Sequence, residues 1–196
     1  MKTIYLVRHG KASLEGKEEQ RVLLEEGVSQ AHQLKTALEV LSPKISKLFS
    51  SPYKRAIQSF EPFSHSSGLP ISVVNEFHEL KLPTKPTDDK NEVRKKLWED
   101  ENFKTEGGES RREAAQRALN ALTQIKDRLE EGTSAAVMSH GTLIGVMVKA
   151  LGMDPYGYEE WKAMGMPDIF RIDFEHNKAR VSNVGCKGVD AFRIGD

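Results

Sequence analysis

The sequence predicts a three-layer α/β fold, in which a mostly parallel central sheet is flanked by helices on both faces. Four short apolar runs bounded by turn residues are typical of buried parallel strands, and they lie at 3–7, 45–49, 71–74 and 135–138. Segments with apolar residues at helical spacing alternate with these runs, which is the order of a sheet built from crossover connections. We therefore expect a single domain over residues 1–196.

Helical periodicity predicts two long helices between the strands. The first presents an apolar face made of Val28, Ala31, Leu34, Leu38 and Leu41. Because proline cannot continue a helix, we expect Ser42-Pro43 to end it. The second presents a similar face made of Ala115, Ala118, Leu122, Ile125 and Leu129. A capping box from Ser110 to Glu113 begins this helix, and Gly132 is expected to end it.

Two further segments complete the predicted architecture. Residues 169–174 and 179–184 alternate in polarity and are expected to form a terminal hairpin. Residues 81–109 begin irregularly and continue into a charged stretch with a short predicted helix, so we interpret them as an insertion over the C-terminal edge of the sheet. A lid that covers substrate and a solvated excursion both fit this segment.

Composition and charge exclude several classes of protein. Lys and Arg number 29 and Asp and Glu number 29, so the net charge is zero and a general nucleic-acid partner is not expected. The single Cys186 excludes an intrachain disulfide and fits a reducing compartment. No apolar stretch is long enough to span a bilayer or to act as a secretory signal. A cytoplasmic protein with no membrane partner is therefore expected.

Basic residues and histidines recur just after the predicted strands. Arg8 and His9 follow the first strand, and His140 follows the fourth. After the second strand, Ser51 is a predicted N-cap and Pro52 a predicted first helical residue, which puts Arg55 in the first turn of a helix. Because ligands of open α/β sheets bind beyond the carboxyl ends of strands, we expect these residues to share one site.

These residue types suit the transfer of a phosphoryl group. Arg8 and Arg55 offer forked, permanently charged donors that match phosphoryl oxygens. A neutral His9 is a competent nucleophile that forms a phosphoenzyme. A carboxylic acid must also protonate the leaving oxygen, and both Glu76 and Glu79 follow the third strand. The sequence alone leaves both glutamates as candidates, with Glu79 preferred.

Taken together, the motifs of this chain resemble those of the histidine phosphatase superfamily, the phosphoglycerate mutase-like branch 1. The matching motifs are Arg8-His9-Gly10, Ser50-Ser51-Pro52-Tyr53-Lys54-Arg55-Ala56, Phe77-His78-Glu79-Leu80, Gly107-Gly108-Glu109-Ser110 and Ser139-His140-Gly141. Their order and spacing match from residue 1 to about residue 184. The resemblance implies a phosphoglycerate mutase-like fold.

The resemblance also implies a role for each matching residue. His9 would be the phosphorylated nucleophile, and Arg8, Arg55 and His140 would form the phosphate pocket. Glu79 would be the general acid, and neither a metal nor another cofactor would be needed. Around this centre, the candidate substrate contacts are Gly10, Lys11, Ser13, Arg21 and Gly141.

The loop after Gly10 departs from the phosphoglycerate mutases. Those enzymes usually carry a Glu-Ser/Thr-x-x-Asn sequence there, whereas this chain has Glu15 in place of the asparagine. A carboxylate at that position should repel phosphoglycerate, which is itself an anion. The loop is closer to that of the small phosphohistidine phosphatases, but those typically lack the motif at Gly107 and the acid near Glu79.

The predicted function is therefore that of a phosphoric monoester hydrolase, a metal-independent phosphatase that works through a phosphohistidine intermediate on His9. Its substrate would be a small phosphorylated metabolite or a phosphoprotein. Three alternatives stay open: a mutase-type phosphotransferase, a protein phosphohistidine phosphatase, and an inactive relative that binds phosphopeptides. The sequence does not define the physiological substrate or the oligomeric state.

Overall fold

A six-stranded mixed sheet forms the centre of the computed structural model, which describes residues 1–175, 178–186 and 192–193. The strands are β1 (Lys2–Arg8), β2 (Ile45–Ser50), β3 (Ile71–Val73), β4 (Ser134–Ser139), β5 (Gly165–Met166), β6 (Asp168–Glu175), β7 (Lys178–Asn183) and β8 (Phe192–Arg193). The main sheet has the order β3-β2-β4-β1-β6-β7, and β5 pairs with β8 in a separate ribbon. β1 to β4 are parallel, whereas β6 is antiparallel to β1 and forms the predicted hairpin with β7. The predicted fold class is confirmed.

Helices cover both faces of the sheet. They are α1 (Glu25–Glu39), α2 (Lys54–Ser67), α3 (Lys90–Glu99), α4 (Arg111–Asp127), α5 (Gly141–Ala150) and α6 (Tyr158–Lys162), with short 3-10 helices at Glu18–Gln20 and Asn75–Phe77. The central strand β1 explains the layering, because its side chains alternate between two cores. Ile4 and Leu6 pack with α4 and α5, whereas Tyr5 and Val7 pack with α1 and α2.

Three predictions from the sequence are wrong, one about a strand and two about helices. Residues 71–74 were expected to form a buried strand, but β3 is the edge strand and Val73 is 54% exposed. The first helix ends at Glu39, before Ser42-Pro43, and Val28 on its predicted core face is 48% exposed. The second helix ends at Asp127 because its last turn tightens, so Gly132 lies in the turn before β4 rather than at the helix end.

The 81–109 segment contains the predicted short helix, α3. Leu97 and Trp98 are the only buried residues among 81–109, all of which the structure describes. Trp98 packs on α5 so closely that a Cβ at Gly145 would lie 3.0 Å from its ring. Arg111 at the start of α4 donates to the carbonyls of both Leu97 and Trp98. The segment is thus fixed to the helix that begins at the carboxyl end of β4.

No helix within the described ranges is both long and apolar enough to cross a lipid bilayer.

Candidate active site

The carboxyl ends of β1, β2 and β4 lie side by side at one edge of the sheet. Arg8 is opposite Ser139, and Ser50 is opposite Met138. The pairing continues one residue further, since the backbone N–H of His9 donates to the carbonyl of Ser139 at 3.3 Å. The residues that follow these strands therefore converge on one point.

His9 is held as a neutral imidazole of defined tautomer. Its Nδ1 lies 2.6 Å from the carbonyl oxygen of Gly10, and because a carbonyl only accepts, Nδ1 carries the proton. Burial lowers the pKa of His9 well below its usual range, and the nearby charge of Arg55 lowers it further. Nε2 is consequently the unprotonated nitrogen. It accepts a hydrogen bond from Nε of Arg55 at 3.0 Å.

Arg55 is the second residue of α2 and is 5% exposed. Besides His9, its guanidinium donates to the carbonyl of Glu18 at 2.6 Å and to the carboxylate of Glu18 at 3.3 Å. Burial lowers the pKa of Arg55, and the charges of Glu79 and Glu18 oppose that shift. The 3-10 helix at Glu18–Gln20 thus holds this arginine against the imidazole.

The predicted start of α2 is wrong by two residues. Tyr53 occupies the N-cap position, so Ser51 and Pro52 precede the helix, although Arg55 is still in its first turn. The reason lies in the contacts of Ser51, whose hydroxyl is 2.7 Å from Nε2 of His140 and also accepts from the N–H of Tyr53 at 3.3 Å.

His140 faces His9 across the site. The ring centroids are 5.1 Å apart, and His140 is fully buried. Its Nε2 is bound to Ser51, whereas its Nδ1 is buried with no hydrogen-bond partner among the described residues. Burial lowers the pKa of His140 well below its usual range, and the charge of Arg55 adds to the effect. One ring nitrogen is therefore left for a ligand.

Arg8 is fixed at the end of β1, and only part of its guanidinium group is hydrogen-bonded to the protein. Its Nη1 donates to the carbonyls of Met164 and Gly165, both at 2.9 Å. Its Nε is buried with no partner among the described residues. Burial lowers the pKa of Arg8 to about 10, and the charges of Glu79 and Asp168 oppose the shift. A Cβ at Gly141 would lie 3.0 Å from Nε, so a larger residue there would crowd this side chain.

The structure separates the two candidate acids. Glu76 is exposed, whereas Glu79 is partly buried and acts electrostatically on both Arg8 and Arg55. The carboxylate of Glu79 accepts from Thr142 at 3.1 Å and from Leu143 at 2.9 Å, whose N–H groups lie in the first turn of α5. Burial raises the pKa of Glu79, although backbone hydrogen bonds and Arg55 oppose the shift.

Two histidines, two arginines and a carboxyl group thus lie together beyond the strand ends, and residues 4–187 match the family model of the histidine phosphatase superfamily (branch 1). The chain belongs to the histidine phosphatase superfamily. This confirms the resemblance seen in the motifs. A search of curated protein sequences finds no significant match.

Solved structures of several other proteins share the fold at low identity. "Mycobacterial hydrolase 1" is 20% identical with a TM-score of 0.77, over 92% of this chain and 96% of that one. A mycobacterial glucosyl-3-phosphoglycerate phosphatase in complex with inorganic phosphate is 22% identical with a TM-score of 0.72, over 92% and 95%. A phosphoserine phosphatase mutant from Entamoeba histolytica in complex with phosphoserine is 20% identical with a TM-score of 0.74, over 93% and 96%.

The predicted rim residues of this superfamily member fall into two groups. Gly141 contacts Arg8, the carbonyl of Gly10 binds His9, and the carbonyl of Arg21 accepts the N–H of Arg55 at 3.1 Å. In the second group, the Lys11 ammonium forms an ion pair with Glu26 at 2.8 Å, and the Ser13 hydroxyl accepts from the N–H of Glu15 at 3.0 Å. The first group is therefore built into the site, and the second lies in the loop beside it.

Sequence reasoning missed Glu18 and Tyr53. It singled out Glu15 as the carboxylate of the loop, but Glu15 is exposed and Glu18 is the residue that reaches Arg55. The Tyr53 ring lies 4.9 Å from the His140 ring and 4.9 Å from the Arg55 guanidinium carbon. The one signal for Tyr53 was its place inside the Ser50-to-Ala56 motif. Glu18 gave none, because a charged loop residue is usually solvated.

Within the described residues, no group of three or more His, Cys, Asp or Glu side chains has the geometry of a metal site.

Proposed function

We propose that this protein hydrolyses phosphomonoesters through a phosphohistidine intermediate on His9, without a metal ion. The observation that carries the proposal is the state of His9, whose unprotonated Nε2 lies beside Arg55 and whose ring lies 5.1 Å from that of His140, a residue with an unpartnered Nδ1. A nucleophile surrounded by cations and donors is what the attack on a negatively charged phosphoryl group requires.

In the first step, Nε2 of His9 attacks phosphorus, and the bond from phosphorus to the leaving oxygen breaks as the N–P bond forms. Before the attack, the hydrogen bond from Nε of Arg55 to Nε2 must be exchanged for one to a phosphoryl oxygen, because the lone pair of Nε2 forms the new bond. The free Nε of Arg8 supplies a second cationic donor. Glu79, whose pKa is raised by burial, gives its proton to the leaving oxygen.

His140 supplies a neutral donor to the same group. If the Ser51 hydroxyl donates to Nε2, then Nε2 is the accepting nitrogen and Nδ1 carries the proton. The buried Nδ1–H is then free to donate to a phosphoryl oxygen. Ser51 therefore sets the tautomer that phosphate binding needs.

In the second step, water attacks the phosphohistidine. Glu79, now a carboxylate, accepts a proton from the water as the N–P bond breaks and inorganic phosphate leaves. The imidazole of His9 returns to its neutral form with the proton on Nδ1. The cycle closes with no group consumed other than the ester and water.

We extend to this chain only a class of substrate, namely small phosphorylated metabolites. The names of the similar phosphatases refer to glucosyl-3-phosphoglycerate and phosphoserine, both of which are small phosphate esters. Identities of 22% and 20% support the shared fold and this broad class, and they leave the individual ester open.

The test is to trap the intermediate with a labelled phosphoester in the presence of a chelator, followed by an alkaline quench, which preserves phosphohistidine. We expect label on the wild type, none on His9→Ala, and full labelling of His32→Ala, a control at an exposed histidine. Label retained by His9→Ala, or turnover by the wild type without any trapped label, would contradict the proposal.

The fate of the phosphoryl group separates the hydrolase from its alternatives. We expect free phosphate from a panel of metabolites and phosphopeptides. Isomerisation that depends on a bisphosphorylated donor would indicate a mutase. Release confined to phosphohistidine peptides would indicate a phosphohistidine phosphatase. Binding of phosphopeptides with no release from any ester would indicate an inactive relative.

A further inference from the structure

The short loop from Glu76 to Glu79 is held by hydrogen bonds from a side chain of α4. Arg117, in the middle of that helix, donates from Nη1 to the carbonyl of Glu76 and from Nη2 to the carbonyl of Glu79 at 3.4 Å. These two carbonyls lie at the two ends of the loop from Glu76 to Glu79. The carboxyl group of Glu79 is held by other donors, the N–H groups of Thr142 and Leu143. Both the backbone carbonyl and the carboxyl group of Glu79 are therefore held by hydrogen bonds.

Glu109 completes the support. Its carboxylate forms a bidentate pair with Arg117, from Nε at 2.7 Å and from Nη2 at 2.8 Å, and both side chains are only 18% exposed. The same carboxylate accepts the N–H of Lys81 at 3.1 Å, and the N–H of Glu109 donates to the carbonyl of Lys81 at 2.8 Å. The two ends of the 81–109 segment are thereby joined next to Glu79.

The sequence around this pair fits that geometry. A Cβ at Gly108 would lie 2.8 Å from the carbonyl of Lys81, so the chain can approach this closely only with glycine. Burial alone would raise the pKa of Glu109, but the hydrogen bonds from Arg117 and from the backbone of Lys81 lower it below its usual range. Glu109 and Arg117 therefore form an ionised, largely buried bidentate salt bridge whose geometry is fixed.

We infer that Arg117 and Glu109 are positioning residues for the acid Glu79. They touch neither the phosphoryl group nor its surrounding cations, and they act by fixing the peptide of Glu79 so that its carboxyl group meets the leaving oxygen. The inference rests on the proposed phosphatase reaction. It gives the Gly107-to-Ser110 motif a purpose that lies outside the phosphate pocket.

The test compares two substrates that depend differently on the acid. Nitrophenyl phosphate has a good leaving group and needs little protonation, whereas an alkyl phosphate needs it fully. For Arg117→Gln and for Glu109→Gln we expect kcat/KM on the alkyl ester to fall about 100-fold, since a shift of about 1 Å in a reacting group costs that much. We expect kcat/KM on the nitrophenyl ester to change by less than about threefold, because kcat/KM reports the first step and excludes the second, in which Glu79 acts on both esters alike.

Arg112→Gln is the matched control, because Arg112 lies on the same helix and pairs with the exposed Glu101. The ratio of the two kcat/KM values does not depend on how much of a variant is folded, so partial misfolding of Arg117→Gln does not obscure the result. Equal losses on both esters for Arg117→Gln and Glu109→Gln would overturn the inference.

A double-mutant cycle adds a second criterion. In a Glu79→Gln background there is no acid left to position, so adding Arg117→Gln should cost less than about twofold on the alkyl ester. A full additional loss in that background would show a purely structural role and would overturn the inference. A wild type that hydrolyses neither ester would contradict the proposed function itself, which is a different result.

Discussion

The phosphate pocket and the 81–109 segment are built in opposite ways. In the pocket, Arg8, His9, Arg55 and His140 are each 7% exposed or less, and each has defined partners. In the 81–109 segment nearly all side chains are accessible, and the chain is fixed mainly at Leu97–Trp98 and at Glu109. The comparison shows where this chain can change without losing its chemistry.

Electrostatics explains the difference. Charges that are removed from water are costly unless they are paired, so the buried groups of the pocket must keep their partners and their geometry. Ion pairs of the segment, such as Lys95 with Glu92, are 47% and 56% exposed, and such pairs contribute little to stability. We therefore expect changes in the pocket to alter rate steeply, and changes in the segment, apart from Glu109 at its end, to alter stability or substrate range.

The largest expected effect comes from Glu79→Gln. We expect kcat/KM on an alkyl phosphate, which reports the first step alone, to fall about 1000-fold, within the range that a general acid contributes, and kcat/KM on nitrophenyl phosphate to fall far less. In the wild type, the alkyl rate should decline as the pH rises through the raised pKa of Glu79, because the carboxyl group then loses the proton it must donate. The nitrophenyl rate should lack this alkaline decline.

The measurement is kcat/KM against pH for both esters, with Glu76→Gln as the control at the exposed neighbouring acid. The same alkaline decline for both esters, or its disappearance in Glu76→Gln, would identify another group as the acid.

An intermediate effect is expected from Ser51→Ala. Loss of the hydroxyl frees Nε2 of His140 and removes the preference for the tautomer that donates from Nδ1. One hydrogen bond is worth about 1 to 2 kcal/mol, so kcat/KM should fall about tenfold. Ser50→Ala is the control, since its buried hydroxyl donates to the carbonyl of Ser51 and not to the imidazole. Rates unchanged in Ser51→Ala would contradict the assigned tautomer.

The smallest effect on rate is expected from Trp98→Ala in the segment. Removing a buried tryptophan should lower the free energy of unfolding by about 3 to 5 kcal/mol, because Trp98 packs α3 onto α5. The rate on nitrophenyl phosphate, measured per folded molecule, should change less than about threefold. Denaturant unfolding and kinetics on the same samples check both parts, with Lys95→Ala as the surface control. A tenfold loss of rate would contradict this prediction and would indicate that the 81–109 segment takes part in the reaction through Trp98.

The sequence predicted much of this fold because the relevant signals are local. The apolar run of β1 and the capping box at Ser110 are local signals of structure, and both are observed. The position of a strand within the sheet and the residue at which a helix ends were harder to predict. β3 was expected to be buried, but it lies at the edge of the sheet. The position of a strand depends on which other strands pair with it, and the residues of β3 alone do not specify that pairing.

The same division holds for the candidate site. The motifs identified Arg8, His9, Arg55 and His140, and the structure brings all four together with Glu79. Glu18 and Arg117 were not identified, because a lone charge in a loop or on a helix is usually solvated. Their contacts become visible only when α2 and the Glu79 loop are in place.

The sequence by itself determined the order of strands and helices, the family and the candidates for phosphoryl transfer, since periodicity and motif spacing lie along the chain. Only the tertiary structure decided which nitrogen of His9 is free, which glutamate lies at the arginines and which side chains support them. The deciding contacts join residues far apart in sequence, 37 positions for Glu18 with Arg55, 38 for Glu79 with Arg117 and 89 for Ser51 with His140. Contacts over such distances depend on how several elements pack at once, and no local pattern specifies that packing.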